Sequence, residues 1–408
     1  MGYIFKAGVL GAGAMGAEIA QVISFSGLPV VLKDVNQELV DKGLARIRRI
    51  YQSRVDKGKM SAGDLDSKMS LVEGTTTYAS FQDVDIVIEA VPEVMAIKRQ
   101  VFADLDDNTP ESTIFATNTS ALSISEMAAA TKRPQKVVGV HFFNPASVMK
   151  LVEIIPGLDT SEETVEDARM FAESLRKIPV VVQECPGFLV NRLLSPYLGE
   201  AVLCLQEGAA RAEEIDTAAS AFGWPMGPFT LMDMLGVDVG YHVGKYLNGE
   251  YGDRMPAAAL YEELYKARRW GEKTGAGFYN YTAAEVEPLD NIIARLQAEG
   301  KSRKGSTFSM DRLMMPLINE ASLCVMENIA RPGDVDMAMI AGTGMKVGET
   351  RMGPLEYADT LGLDVVLAKL EGFQNEFGER FRPSRLLKTK VRAGHVGKKV
   401  GKGFKEYA

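Results

Sequence analysis

Two periodicities divide the chain. As far as about Glu184, short apolar runs at residues 4–10, 30–32, 86–90, 113–116, 137–140 and 151–155 alternate with stretches of helical spacing. Runs of that length read as buried strands, and strands separated by helices build a parallel sheet covered on both faces. After Glu184 the Pro186-Gly187 pair breaks the pattern, and the rest of the chain has helical periodicity throughout. The expected architecture is an α/β domain with a mostly parallel sheet over residues 1–185, followed by two all-α domains in tandem over 186–284 and 309–408.

The tandem is visible as a repeat. Arg192 to Cys204 aligns with Arg312 to Cys324 at a constant offset of 120, and Asp216 with Asp336. After a six-residue insertion, Gly227-Pro228 matches Gly353-Pro354, and Gly275 to Phe278 matches Gly401 to Phe404. A charged segment from Glu285 to Ser309 joins the copies.

Composition narrows the class. With 46% hydrophobic and 25% charged residues the chain is an ordinary globular one, and a net charge of -8 without a basic domain argues against a nucleic-acid partner. No run of 18 apolar residues occurs, so no membrane span is expected, and no charged-then-apolar leader precedes the first strand. Cys185, Cys204 and Cys324 stand singly, as small core residues and not as a disulfide framework or metal site. A reducing, cytoplasmic setting is expected, with no metal.

The first 35 residues carry the first chemistry. Gly11-Ala-Gly13-Ala14-Met15-Gly16 follows a strand and opens a helix, and Asp34 ends the next strand 18 residues after Gly16. GxGxxG alone is a weak signal; strand, turn, helix and acid together point to a dinucleotide site. Gly11 permits the turn, Gly13 lets backbone approach a pyrophosphate, Gly16 allows close helix packing, and the helix N-terminus faces the phosphates. Asp34 can bond the ribose and repel a 2′-phosphate, which favours NAD over NADP. Further polar residues cluster after the other strands: Glu93 and Lys98, then Asn118-Thr-Ser120, then His141 with Asn144.

His141 is one of three histidines, at the end of one apolar run, while Glu153 interrupts the next. A ten-residue loop between the two runs can bring them side by side. Imidazole held by a carboxylate suits proton transfer, and spacing alone fits a structural His–Glu pair as well.

At these residues the chain resembles the L-3-hydroxyacyl-CoA dehydrogenases along essentially its whole length: GAGAMG, EAVPE with a following lysine, TNTS, HFFNP, LVEII twelve residues later, PGFLVNR and FGWPMGP. The duplicated helical part is most similar to the dehydrogenase portion of multifunctional fatty-acid β-oxidation enzymes. The enoyl-CoA hydratase domain that precedes it there is not expected here, because Met1 stands directly before the first strand. The resemblance implies NAD-dependent interconversion of (S)-3-hydroxyacyl-CoA and 3-oxoacyl-CoA. It implies His141 as the base and Glu153 as its support, with Ser120 and Asn191 bonding the substrate. Glu93, Lys98, Ser120, Asn144 and Lys273 fall at NAD contacts. Asp311 replaces Asn191 in the second copy, so only the first is equipped for chemistry. One-unit relatives dimerise through this helical part, so the expectation is a monomer with an internal pseudo-dimer, or a homodimer, working beside other β-oxidation enzymes.

The coenzyme A contacts depart from the family. Its serine and lysine align with Ile47 and Arg54, so the serine contact is lost. Arg46, Arg48, Arg49, Arg54 and Lys57 form a basic stretch that reads equally as a phosphate site or a solvated helix face. A dehydrogenase for free hydroxy acids would want an arginine for the carboxylate, and no motif supplies one. A purely structural role, as in lens crystallins recruited from this family, sits poorly with an intact His141, Glu153, Ser120 and Asn191.

Overall fold

The computed structural model describes residues 3–282 and 286–407. Ala284 and Glu285, where the sequence places the end of the first helical copy and the start of the linker, lie outside the described residues. The chain separates into two compact units, one ending at Phe188 and one beginning at Leu189.

The first unit is built on eight strands: β1 (Ala7–Leu10), β2 (Val30–Lys33), β3 (Val72–Thr75), β4 (Ile86–Glu89), β5 (Ile114–Thr117), β6 (Val137–Phe142), β7 (Leu151–Pro156) and β8 (Ile178–Val181). Their order across the sheet is β3-β2-β1-β4-β5-β6-β7-β8. Every pair is parallel except β6 with β7. The exception follows from chain length, since the eight residues between Phe142 and Leu151 cannot carry the crossover that a parallel pair needs. Central strands are buried on both faces, which is why they read as unbroken apolar runs.

Three features differ from the sequence expectation. The first strand begins at Ala7, not at residue 4. Strands β3 and β8 were not among the expected strands: β3 reads VEGT and has no apolar run, β8 reads the short apolar IPVV, and both lie at the edges of the sheet and are largely half-exposed or exposed. His141 lies inside β6, which continues to Phe142, and not in the loop beyond it.

In the second unit the two copies are joined at helices Val190–Gln206 and Met310–Met326. Arg192 of the first copy pairs with Glu320 (2.7 Å) and Glu327 (2.6 Å) of the second. Arg312 of the second pairs with Glu200 (2.6 Å) and Glu207 (2.7 Å) of the first. Tyr251 lies 4.7 Å from the Arg192 guanidinium, and its counterpart Phe377 lies 3.9 Å from that of Arg312. Each copy also closes its C-terminal turn on a buried aspartate. Asp233 accepts from Phe278 N–H, Tyr279 N–H and the Tyr281 hydroxyl, and Asp359 accepts from Phe404 N–H, Lys405 N–H and the Tyr407 hydroxyl. The stretch that lengthens the second copy holds a small antiparallel hairpin of Lys346–Val347 and Thr350–Arg351. The expected linker contains a helix, Leu289–Ala298, whose Ile292, Ile293 and Leu296 are buried. Cys204 and Cys324 are fully buried core residues, and burial pushes the Cys204 thiol up to about 12.

Candidate active site

The dinucleotide turn is built as its residues dictate. Gly11 has φ 95°, a conformation side chains rarely adopt, and a Cβ there would lie 2.5 Å from the Ala90 carbonyl oxygen. A Cβ on Gly16 would collide with the Gly11 carbonyl, so helix and turn touch there. At Gly13 nothing lies within 4 Å of an added Cβ, which leaves the turn open to a ligand. Gly13 is also the N-cap of helix Ala14–Phe25 and brings no side chain to cap it. Ala14, Met15 and Gly16 thus form a first turn whose amide groups are available to an anion. Asp34, just past β2, accepts from Ala12 N–H (2.6 Å) and Val35 N–H (2.7 Å), locking the acid beside the turn with lone pairs to spare. These residues fit a dinucleotide with an unphosphorylated ribose.

Beyond β4 and β5 lies a connected polar network. Lys98 is 1% exposed and bonds both oxygens of fully buried Glu89 at 2.8 and 3.0 Å. It also reaches Glu93 at 3.1 Å. Glu89 further accepts from Val91 N–H and the Thr117 hydroxyl, each at 2.7 Å. Glu93 accepts from the Thr119 hydroxyl at 2.5 Å and Ser120 N–H at 3.0 Å, leaving the exposed Ser120 hydroxyl outside the network. Asn118 accepts from Phe142 N–H at 2.8 Å, which ties this turn to the strand that carries His141.

The antiparallel register of β6 and β7 sets His141 directly opposite Glu153. Nδ1 of His141 lies 2.8 Å from Glu153 Oε2, with both residues buried. An ionised carboxylate can only accept, so Nδ1 carries the proton and Nε2 is the basic nitrogen. The imidazole is flanked by Phe143, with ring centroids 4.6 Å apart, and by Phe188 at 5.8 Å. Phe188 has φ 49° directly after Gly187 at φ 76°. A bulky side chain in the left-handed region costs about 1–3 kcal/mol, and here it seats a buried ring against the histidine. Asn144 is exposed three residues after His141. The loop behind it is pinned by Lys177, whose ammonium donates to Ala146 O (2.5 Å) and Met149 O (2.7 Å). Burial lowers the Lys177 pKa to about 8.

The first unit thus gathers Gly11, Gly13, Ala14, Met15, Gly16 and Asp34 at one turn, Glu93, Lys98 and Ser120 in one network, and His141 with Glu153. Asn191 and Lys273 are carried by the second unit. Asn191 is half-buried in the first turn of helix Val190–Gln206, and Lys273 pairs with Asp238 at 2.5 Å. Asp311, the counterpart of Asn191, is tied to Lys369. Glu89, Phe143, Phe188 and Lys177 were not singled out from the sequence. Glu89 had a usable signal, a carboxylate closing the apolar strand IVIE, the same kind of interruption that marked Glu153.

The basic stretch also has a shape. Arg49, Arg54, Lys57 and Lys59 line a surface depression of about 480 Å³ with Ser53, Ser147 and Val148. The Arg54 guanidinium lies over the Phe25 ring at 4.5 Å, and its buried Nε has no partner.

Residues 6–185 match the sequence profile of the 3-hydroxyacyl-CoA dehydrogenase NAD binding domain, and residues 187–281 and 308–407 both match that of the C-terminal domain. The chain belongs to the 3-hydroxyacyl-CoA dehydrogenase family. It is 39% identical over 394 residues to a fatty acid oxidation complex subunit alpha from Shewanella putrefaciens, covering 95% of this chain but only 55% of that one. The chain therefore spans about half the length of such relatives. A 3-hydroxybutyryl-CoA dehydrogenase structure from Escherichia coli superposes with a TM-score of 0.86 at 29% identity, covering 96% of this chain and 99% of the other. The (S)-3-hydroxybutyryl-CoA dehydrogenase of Ralstonia eutropha gives a TM-score of 0.67 at 39% identity, covering 69% of this chain and 100% of its own. Membership places the chain among NAD-dependent oxidoreductases. No helix among the described residues is long and apolar enough to cross a membrane.

Proposed function

We propose that this chain is an (S)-3-hydroxyacyl-CoA dehydrogenase of acyl-CoA oxidation, and the observation that carries the reading is the His141–Glu153 pair on the dinucleotide sheet. NAD held at the Gly11–Gly16 turn and Asp34 would supply the acceptor for the hydride of the substrate's C3. His141 Nε2 accepts the proton of the C3 hydroxyl, because Nδ1 is committed to Glu153. Glu153 keeps the tautomer fixed and stabilises the imidazolium, as a buried carboxylate partner does. Phe143 and Phe188 keep water from the imidazole faces. Ser120 and Asn191 act as hydrogen-bond donors to the reacting oxygen and the thioester carbonyl. Glu93, Lys98, Asn144 and Lys273 hold the nicotinamide end, and Asp34 the adenosine ribose.

On this reading the CoA phosphates lie in the basic depression, where the unpartnered Arg54 Nε and three further cations supply charge-assisted donors. Residues 1–185 form the dinucleotide domain, 186–284 the helical copy that contributes Asn191, and 309–408 a copy that acts as a built-in partner. The reciprocal Arg–Glu pairs support a monomer with an internal pseudo-dimer over a homodimer. The relatives' names as subunits of a complex support work beside other β-oxidation enzymes, in a cytoplasmic setting. NADH oxidation measured against 3-oxoacyl-CoA esters of increasing chain length tests the reading. Turnover on at least one ester is expected, and none on any of them would overturn it.

A further inference from the structure

We infer that Glu89 is a positioning residue that sets the preference of the site for the oxidised dinucleotide. The inference rests on the NAD reading above and assigns a role that the motif positions leave open. Glu89 closes β4 beside the dinucleotide turn: the next residue, Ala90, donates its N–H to Leu10 O at 2.8 Å, and its carbonyl borders Gly11.

A fully buried carboxylate is costly unless its lone pairs are filled, and the contacts of Glu89 with Lys98, Val91 N–H and the Thr117 hydroxyl fill them. Lys98 is thereby held as a strut, with its ammonium fixed between Glu89 and Glu93. Glu93 in turn fixes Thr119 and the Ser120 amide. Glu89 thus anchors the chain of contacts that runs through Lys98 and Glu93 to Thr119 and Ser120.

Charge is the second consequence. Glu89 and Glu93 set two carboxylates against one ammonium, so the cluster carries one net negative charge. Glu89 and Lys98 are buried, so that charge is poorly screened, and Glu93, 44% exposed, presents it to the site. The two forms of the cofactor differ by one positive charge on the nicotinamide ring. A net negative cluster at the strand ends therefore binds the oxidised form better than the reduced form. A residue that only neutralised Lys98 would not discriminate between them.

Dissociation constants for NAD+ and NADH, measured by calorimetry on the unaltered protein and on Glu89→Gln, separate these roles. Glu89→Gln brings the cluster to neutrality, so the affinity ratio should shift against NAD+ by on the order of tenfold. Glu89→Gln/Lys98→Met restores one net negative charge and should return the ratio towards that of the unaltered protein. Should Glu89→Gln fail to fold, Glu93→Gln gives the same test with the same sign, because it also brings the cluster to neutrality while leaving the buried Glu89–Lys98 pair intact. Equal weakening of both dinucleotides, or a double variant that keeps the altered ratio, would overturn the inference. If the unaltered protein bound neither dinucleotide, the NAD reading itself would fall, and this inference with it.

Discussion

Arg192 meets Glu320 at 2.7 Å and, 120 positions later, Arg312 meets Glu200 at 2.6 Å. Residue i of one copy contacts j of the other, and j′ contacts i′, which is the signature of a two-fold interface. Here it lies within one polypeptide. The second copy keeps every member of this arrangement while Asp311, tied to Lys369, stands in place of Asn191.

That network predicts strong coupling. Both arginines and both glutamates are at most 2% exposed, and removing one partner of a buried pair costs about 3–5 kcal/mol by leaving a charge uncompensated. Glu320→Ala and Arg192→Met should each lose stability on that scale in urea melts. The double variant Arg192→Met/Glu320→Leu should lose far less than the sum. Additive losses would show that the pairs are not energetically joined.

Cofactor choice follows from Asp34. The unaltered protein should strongly prefer NADH over NADPH, and Asp34→Ser should narrow the gap by removing repulsion of the 2′-phosphate. Because Asp34 also caps Ala12 N–H, the variant should weaken NADH somewhat as well. Equal kcat/KM for the two cofactors in the unaltered protein would contradict this account.

Lys177 predicts a pH effect of definite sign. Its pKa falls from an ordinary 10.5 to about 8 through burial, so between those values the unfolded chain holds a proton that the folded chain has released. Its contribution to stability is therefore present above about 10.5 and is lost as pH falls through about 8. Relative to Lys177→Met, the unaltered protein should gain stability between pH 7.5 and 9.5 (values bracketing about 8), measured as the difference between urea melts. A difference that stayed flat or fell over that interval would contradict the assignment.

How much of this was legible in the sequence depends on what each residue buries. Central strands announced themselves because both faces are covered, whereas β3, at a sheet edge, left no apolar run to read, and β8, at the other edge, is a run of only four residues broken by a proline. Glu153 stood out as a charge inside such a run. Glu89 interrupts the run at residues 86–90 in the same way but was not singled out, because it stands one residue from the run's end, where a carboxylate looks like a loop residue. The linker helix Leu289–Ala298 was hidden by its charged face, although Ile292, Ile293 and Leu296 have helical spacing. Phe188 was invisible because its role depends on a left-handed backbone, which no side-chain pattern encodes.

In the proposed function His141 is the base and Glu153 holds it ready. The most direct test is the rate of NADH formation from a 3-hydroxyacyl-CoA substrate by His141→Gln, with NAD binding measured on the same protein. Loss of a positioned general base should lower kcat by roughly 10²–10⁴-fold while the dinucleotide turn, which His141 does not touch, still binds NAD. Turnover within a few-fold of the unaltered protein would contradict the account.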